Sequence, residues 1–122
     1  MWTINEVAVA GRLSRPAEQR VLPSGGSLVS LEVTVPRAAG PNETVPVSWA
    51  DAPAWSATLD VGQEVLVVGR VRRRFFRAGG ATQSRTEVVA HRVVRLPAGR
   101  RARRVLAEVS ARLEEAAAGN AP

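Results

Sequence analysis

The 122-residue chain contains no cysteine and no lysine, and it has a single histidine. Absence of cysteine excludes a disulfide framework, a thiolate nucleophile and a thiolate metal site, and one histidine cannot build an imidazole cage around a metal. Absence of lysine excludes a phosphate-loop lysine and a Schiff base. No stretch approaches 18 apolar residues, and the opening residues 1–13 carry no basic segment ahead of a long apolar run. Neither a membrane span nor a signal peptide is expected. With no nucleophile and base pair, no metal cluster and no phosphate loop in view, an enzyme is the least supported class. The expectation is a soluble, cytoplasmic binding protein without metal, cofactor or small-molecule substrate.

What the chain does have is a hydrophobic content of 45% and a net charge of +6, from 17 basic and 11 acidic residues. This length and composition suit one globular domain with a core of its own. Every basic residue is arginine, and their distribution is uneven. Residues 1–69 hold four arginines and seven acids, residues 70–104 hold twelve arginines and only Glu87, and residues 105–122 hold Arg112 and three glutamates, giving −3, +11 and −2. Such a concentrated block suits a phosphate backbone or an anionic membrane surface, although arginine on a surface also serves solubility.

Hydrophobic periodicity organises the rest. Val7, Val9 and Leu13 alternate along a first strand, with Gly11 where a close-packed barrel strand could bend. After the turn cluster Pro23-Ser24-Gly25-Gly26, Val29, Leu31, Val33 and Val35 alternate along a second, which Pro36 ends. Residues 45–49 form a short third strand weakened by Pro46, and Asp51 with Pro53 starts one or two helical turns through Leu59. The apolar run at residues 65–68 opens a fourth strand that continues into the arginine block, Gly79-Gly80 turns it, and residues 86–95 form a fifth.

Five short strands with a small helix between the third and fourth suit an all-β fold, a five-stranded Greek-key barrel of the OB type, over residues 1–97. A β-sandwich, which uses about seven strands, is the weaker alternative. Residues 98–122 carry a basic segment and an amphipathic helix with Ala102, Leu106, Val109, Leu113 and Ala116 on one side, stopped by Gly119-Asn120-Ala121-Pro122. The helix is expected to pack on its own barrel; docking to a partner or another subunit is the alternative.

The most informative segment runs from Gly69 to Arg77. In a strand, alternate side chains point to opposite faces, so Arg70, Arg72, Arg74 and Phe76 share one face, opposite Val71, Arg73, Phe75 and Arg77. Cations spaced along a strand can follow a phosphate backbone, and an aromatic ring among them offers a stacking platform for an unpaired base. Two adjacent phenylalanines cannot both enter the same core, so one must face outward.

At this point the chain resembles the bacterial single-stranded DNA-binding protein family. Residues 5–13 resemble that family's first strand, Pro23-Ser24-Gly25 its turn, and Thr34-Val35-Pro36-Arg37 the basic end of its second strand. Val47-Ser48-Trp49, the glycine-bounded run from Gly62 to Gly69 and Thr86-Glu87-Val88-Val89-Ala90 follow in the family's order. The similarity covers residues 4–96. It implies an OB barrel that binds single-stranded DNA without sequence preference in replication, recombination or repair, usually as a homotetramer at the nucleoid. Carried across by position, it places Trp49 and Phe76 on stacking aromatics and Arg37, Arg72 and Arg74 on basic positions near the strand path, while Arg12 suits either a structural or a binding role.

Three departures point to a divergent or accessory member. Residues 38–44 are a short loop with neither ring nor arginine, the family's Glu-Trp-His signature after that loop is missing, and the acidic C-terminal tip is not seen. A protein-interaction OB module that has lost DNA wrapping is therefore one alternative, and an RNA-binding OB domain is another, since nothing in the sequence reads a 2′-hydroxyl. Of the remaining residues, Trp2 suits a stacking ring or a barrel cap, Trp55 a core position, and the lone His91 an ordinary strand histidine. Asp51 suits a helix cap. Arg100, Arg101, Arg103 and Arg104 oppose the dipole at a helix start, so helix stability does not explain them, and they could extend a nucleic-acid path.

Overall fold

The computed structural model describes residues 1–120; Ala121 and Pro122, the last two residues of the expected helix stop, lie outside the described residues. The chain forms β1 (Val7–Leu13), β2 (Glu18–Val21), β3 (Ser27–Val35), β4 (Glu43–Ala50), a 3-10 turn (Ala54–Thr58), β5 (Glu64–Ala78), β6 (Ala81–Arg95) and helix α1 (Gly99–Ala118). The sheet order is β1-β5-β6-β4-β3-β2, and a β1–β3 pairing closes it into a barrel. All pairs are antiparallel except β4–β6, which meet in parallel at Val47↔Val88 and Ser48↔Val89. This is the expected OB-type barrel with one C-terminal helix. Among the described residues, no helix is long and apolar enough to cross a membrane.

Alternation places Val29, Leu31 and Val33 of β3 inside the barrel with Leu13, Val47, Val65, Val67, Val88 and Val93. The continuous run at residues 65–68 has a different cause. Val65 and Val67 point inward, while Leu66 and Val68 join Val94 on the outer face, where Val105 of α1 covers them with Ala102 and Val109 beside it. A strand buried on both faces loses its alternation.

Barrel closure brings backbones close at two glycines. A Cβ on Gly11 would collide with the Thr34 carbonyl, where β1 meets β3, and one on Gly69 would collide with the Val89 carbonyl. Beside Gly69 the β5–β6 register shifts, from Val68↔Arg92 to Gly69↔Ala90, so His91 is the extra residue of a bulge. Beyond it, residues 70–78 and 81–89 run out as a hairpin ribbon. Its tip, Gly79-Gly80, has φ of 59° and 79° at the two turn positions, which only glycine adopts freely in a two-residue hairpin loop.

Three expectations are corrected. β2 is an additional strand, paired with β3 from Glu18↔Ser30 to Val21↔Ser27; all four of its residues are exposed, so no hydrophobic alternation marks it. Asp51 does not cap a helix: it sits at φ 52°, and the following 3-10 turn starts after Pro53 with no side-chain cap. The packed side of α1 is centred on Val105, leaving Leu106 and Leu113 at 42% and 40% exposure. The contact with Leu66, Val68 and Val94 selects that face.

Candidate nucleic-acid interface

The hairpin turn fixes which side chains meet. Because Ala78 pairs with Ala81, Phe76 lies opposite Gln83, Arg74 opposite Arg85, Arg72 opposite Glu87 and Arg70 opposite Val89. Directly opposed residues of an antiparallel pair share a face, so Arg72, Arg74, Arg85 and Glu87 converge. Glu87 is 5% exposed and lies 2.7 Å from Arg72, 3.7 Å from Arg74 and 3.9 Å from Arg85. Three guanidiniums thus surround one sunken carboxylate, and each keeps a large part of its surface open to solvent.

These four residues form one wall of a groove of about 530 Å³ that crosses the outside of the barrel. Its opposite wall comes from Arg15, Glu18 and Arg20, and its floor includes Ser30, Ser48 and Val89. Five arginines against two glutamates leave the lining at +3. Hydroxyls and small apolar side chains on the floor, with cations on both rims, suit a flexible polyanion whose bases lie toward the sheet.

Of the expected site residues, Arg72 and Arg74 line this groove. Arg70 and Phe76 share their strand face outside the lining, and the Arg74 guanidinium lies 5.3 Å from the centre of the Phe76 ring. Arg37 follows the far end of β3 and folds back over Gly40, away from the groove. Trp49 is corrected most firmly. It is 6% exposed, belongs to the barrel core and meets Trp55 edge to face at 5.5 Å, so its ring has no open face for a base. Alternation explains this: Trp49 is two residues from Val47 and shares its inward face. Both phenylalanines lie on the ribbon beyond the core; Phe75, on the far face, is the more open ring at 64% exposure, with Arg73 at 5.1 Å.

Sequence reasoning missed Arg15, Arg20 and Arg85. Arg85 was within reach, because a two-residue turn at Gly79-Gly80 sets the register that places it opposite Arg74. Arg15 and Arg20 reach the site through barrel curvature, which leaves no local signal.

The pattern that defines the single-strand binding protein family matches residues 4–96, most of the chain. This chain belongs to the single-strand binding protein family. Among solved structures it is similar to the wild-type single-stranded DNA binding protein from Thermus aquaticus, with 27% sequence identity and a TM-score of 0.64. The match covers 79% of this chain and 42% of that one, so this family member spans less than half of the Thermus protein. No curated protein matches it. In this family member, the matched region contains all six strands and the whole groove, while α1 lies beyond it.

Proposed function

We propose that the protein binds single-stranded DNA without sequence preference, along the groove between the β5–β6 ribbon and the β2–β3 side of the barrel. The observation that carries this reading is the cluster of Arg72, Arg74 and Arg85 around Glu87 on one wall of a groove lined at +3. Family membership and the DNA-binding Thermus relative point the same way. Arg72 and Arg74 hold phosphates, Phe76 offers a ring at the ribbon end of the path, and Arg70 extends the cationic strand face. Arg37 contributes only to a strand that wraps past the far end of β3.

In this reading the protein makes and breaks no bond and works at the nucleoid, in the cytoplasm, in replication, recombination or repair. A homotetramer, expected from the family, is part of the same reading. It is supported by the first five of the seven residues of β1, where Val7–Gly11 pair with β5 on one side while the β1–β3 pairing begins only at Arg12. Light scattering on the purified protein gives the subunit number.

The deciding experiment titrates the protein with a labelled oligo-dT strand, the matching oligo-U strand and a duplex, across a salt series and by anisotropy. Tight binding to oligo-dT that weakens with salt, with little binding to duplex, is the expected result. Equal affinity for oligo-U would make RNA an equal ligand. No binding at low salt would leave the barrel as a protein-interaction module.

A further inference from the structure

A second group of arginines lies at the other end of β6 from the ribbon tip. Arg95, the last residue of β6, places its guanidinium 5.3 Å from the centre of the Trp55 ring and donates a hydrogen bond of 2.5 Å to Thr58 Oγ1. Thr58 Oγ1 in turn donates to the Trp55 carbonyl at 2.7 Å. The 3-10 turn and the end of β6 thus present tryptophan, hydroxyl and guanidinium as one assembly. Arg101 of α1 joins Trp55 and Arg95 around a recess of about 200 Å³.

No close ion pair ties down the arginines at this end. Among the described residues, none of Arg95, Arg100, Arg101, Arg103 and Arg104 has a carboxylate within 4.0 Å, whereas four of the five groove arginines, Arg15, Arg72, Arg74 and Arg85, do. The first turn of α1 carries no acidic residue either. Arg95 and Arg101, which share one recess, repel each other, and an anion between them relieves that repulsion.

We infer that the recess formed by Trp55, Arg95 and Arg101 is a second contact for the nucleic-acid strand, taking a phosphate and its base where the strand leaves the groove. The chemistry favours a nucleotide over a bare anion. A guanidinium within cation–π range of an indole supplies a planar group that can also stack on a base, while Arg101 supplies a charge for the adjoining phosphate. From Arg85 in the groove to Arg95 is ten residues of β6, on the order of 30 Å along the strand. A strand of a few nucleotides fills the groove alone; a longer one reaches both. The inference rests on the reading of the protein as a single-strand binder, and length dependence separates the two.

The test uses the full chain and two labelled oligo-dT strands, one of about 4 and one of about 30 nucleotides, at the lower limit of and beyond the usual span of one OB barrel. Arg101→Ala is expected to bind the short strand as the parent does. On the long strand it is expected to lose about fivefold in affinity at ~50 mM salt, with a salt dependence shallower by about 0.7 in logarithmic slope, the value for one phosphate contact on a single strand. Arg95→Lys keeps the charge and loses the planar stack, so it is expected to retain the slope while losing long-strand affinity. Thermal melting of each variant checks the fold. Parental affinity and slope for the long strand in Arg101→Ala, with short-strand binding intact, overturn this inference alone. Failure of the parent chain to bind either strand overturns it together with the groove reading.

Discussion

Arg72 and Glu87 face each other across the β5–β6 ribbon, with guanidinium and carboxylate 2.7 Å apart, the carboxylate sunken and the guanidinium 41% open. Glu87 therefore orients the arginine wall and also competes with any phosphate for it. At the rim of a solvated groove a unit charge about 4 Å away is worth about 1 kcal/mol or more, and this repulsion acts on every phosphate that the three arginines hold. Glu87→Gln, which keeps shape and hydrogen-bonding capacity, is expected to tighten oligo-dT binding about fivefold and to steepen its salt dependence. Weaker binding in an anisotropy titration would show that the carboxylate serves mainly to position the arginines.

The two phenylalanines separate by face. Phe76 shares the strand face of Arg72 and Arg74, whereas Phe75 points away with Arg73. Base stacking on an aromatic side chain contributes about 1–3 kcal/mol per base. Phe76→Ala is expected to weaken single-strand binding by roughly 5- to 150-fold, and Phe75→Ala to leave short-strand binding unchanged. Both rings lie outside the core clusters, so neither change should move the melting temperature far. The reverse ranking would move the binding path to the other face of the ribbon.

Much of this arrangement is readable from local pattern. Alternation at Val29, Leu31 and Val33 gives β3, and the Gly79-Gly80 turn gives the ribbon register that joins Arg72 to Glu87 and Arg74 to Arg85. Parity with Val47 also places Trp49 inside, against the stacking role implied by family position. Motif position records which residue stands at a place, while alternation records which way it points. β2 escapes because an exposed edge strand has no hydrophobic face, and the packed side of α1 depends on which strand it covers. Arg15 and Arg20 join the groove only once the sheet has curled.

Trp49 then carries a stability prediction. Truncating a buried tryptophan costs about 3–5 kcal/mol, a large fraction of the 5–15 kcal/mol that holds a typical domain folded. Trp49→Ala is expected to lower the denaturation midpoint sharply or to prevent folding, and Trp49→Phe to do so more mildly. Under conditions where Trp49→Phe is folded, its single-strand affinity should match the parent's. A large affinity loss without a stability loss would restore a direct binding role to the ring.

Glycine substitutions distinguish enforced from incidental positions. An alanine Cβ at Gly69 would strike the Val89 backbone carbonyl, and backbone held in a sheet cannot swing aside as a side chain tip can. Gly69→Ala is expected to force β5 and β6 apart and to destabilise by about 3 kcal/mol or more. Gly99, at the start of α1, has open space around its Cβ position. Gly99→Ala should stabilise by up to about 1 kcal/mol through helix propensity. Urea unfolding of both variants provides the comparison, and equal effects would contradict the backbone contact at Gly69.

The attachment of α1 to the barrel is expected to weaken in acid. Arg92 of β6 donates from one nitrogen to both oxygens of Glu108, at 2.7 and 2.9 Å, and this hydrogen-bonded guanidinium holds the Glu108 carboxyl below its ordinary value of 4.5. A carboxylate whose pKa is lower in the folded state adds stability that is complete above the unfolded value and is lost as pH falls through the folded one. The contribution should therefore be present at neutral pH and fade below about pH 4.5. The Glu108 side chain keeps 38% of its surface open to solvent, so the effect is small and weakens with salt. Glu108→Gln should flatten this part of the pH profile of stability at low salt while leaving single-strand binding at neutral pH unchanged, because the pair lies outside the groove. An unaltered acid profile in Glu108→Gln would place the acid sensitivity elsewhere, with the Arg112–Glu6 pair that ties α1 to the segment before β1 as the next to test.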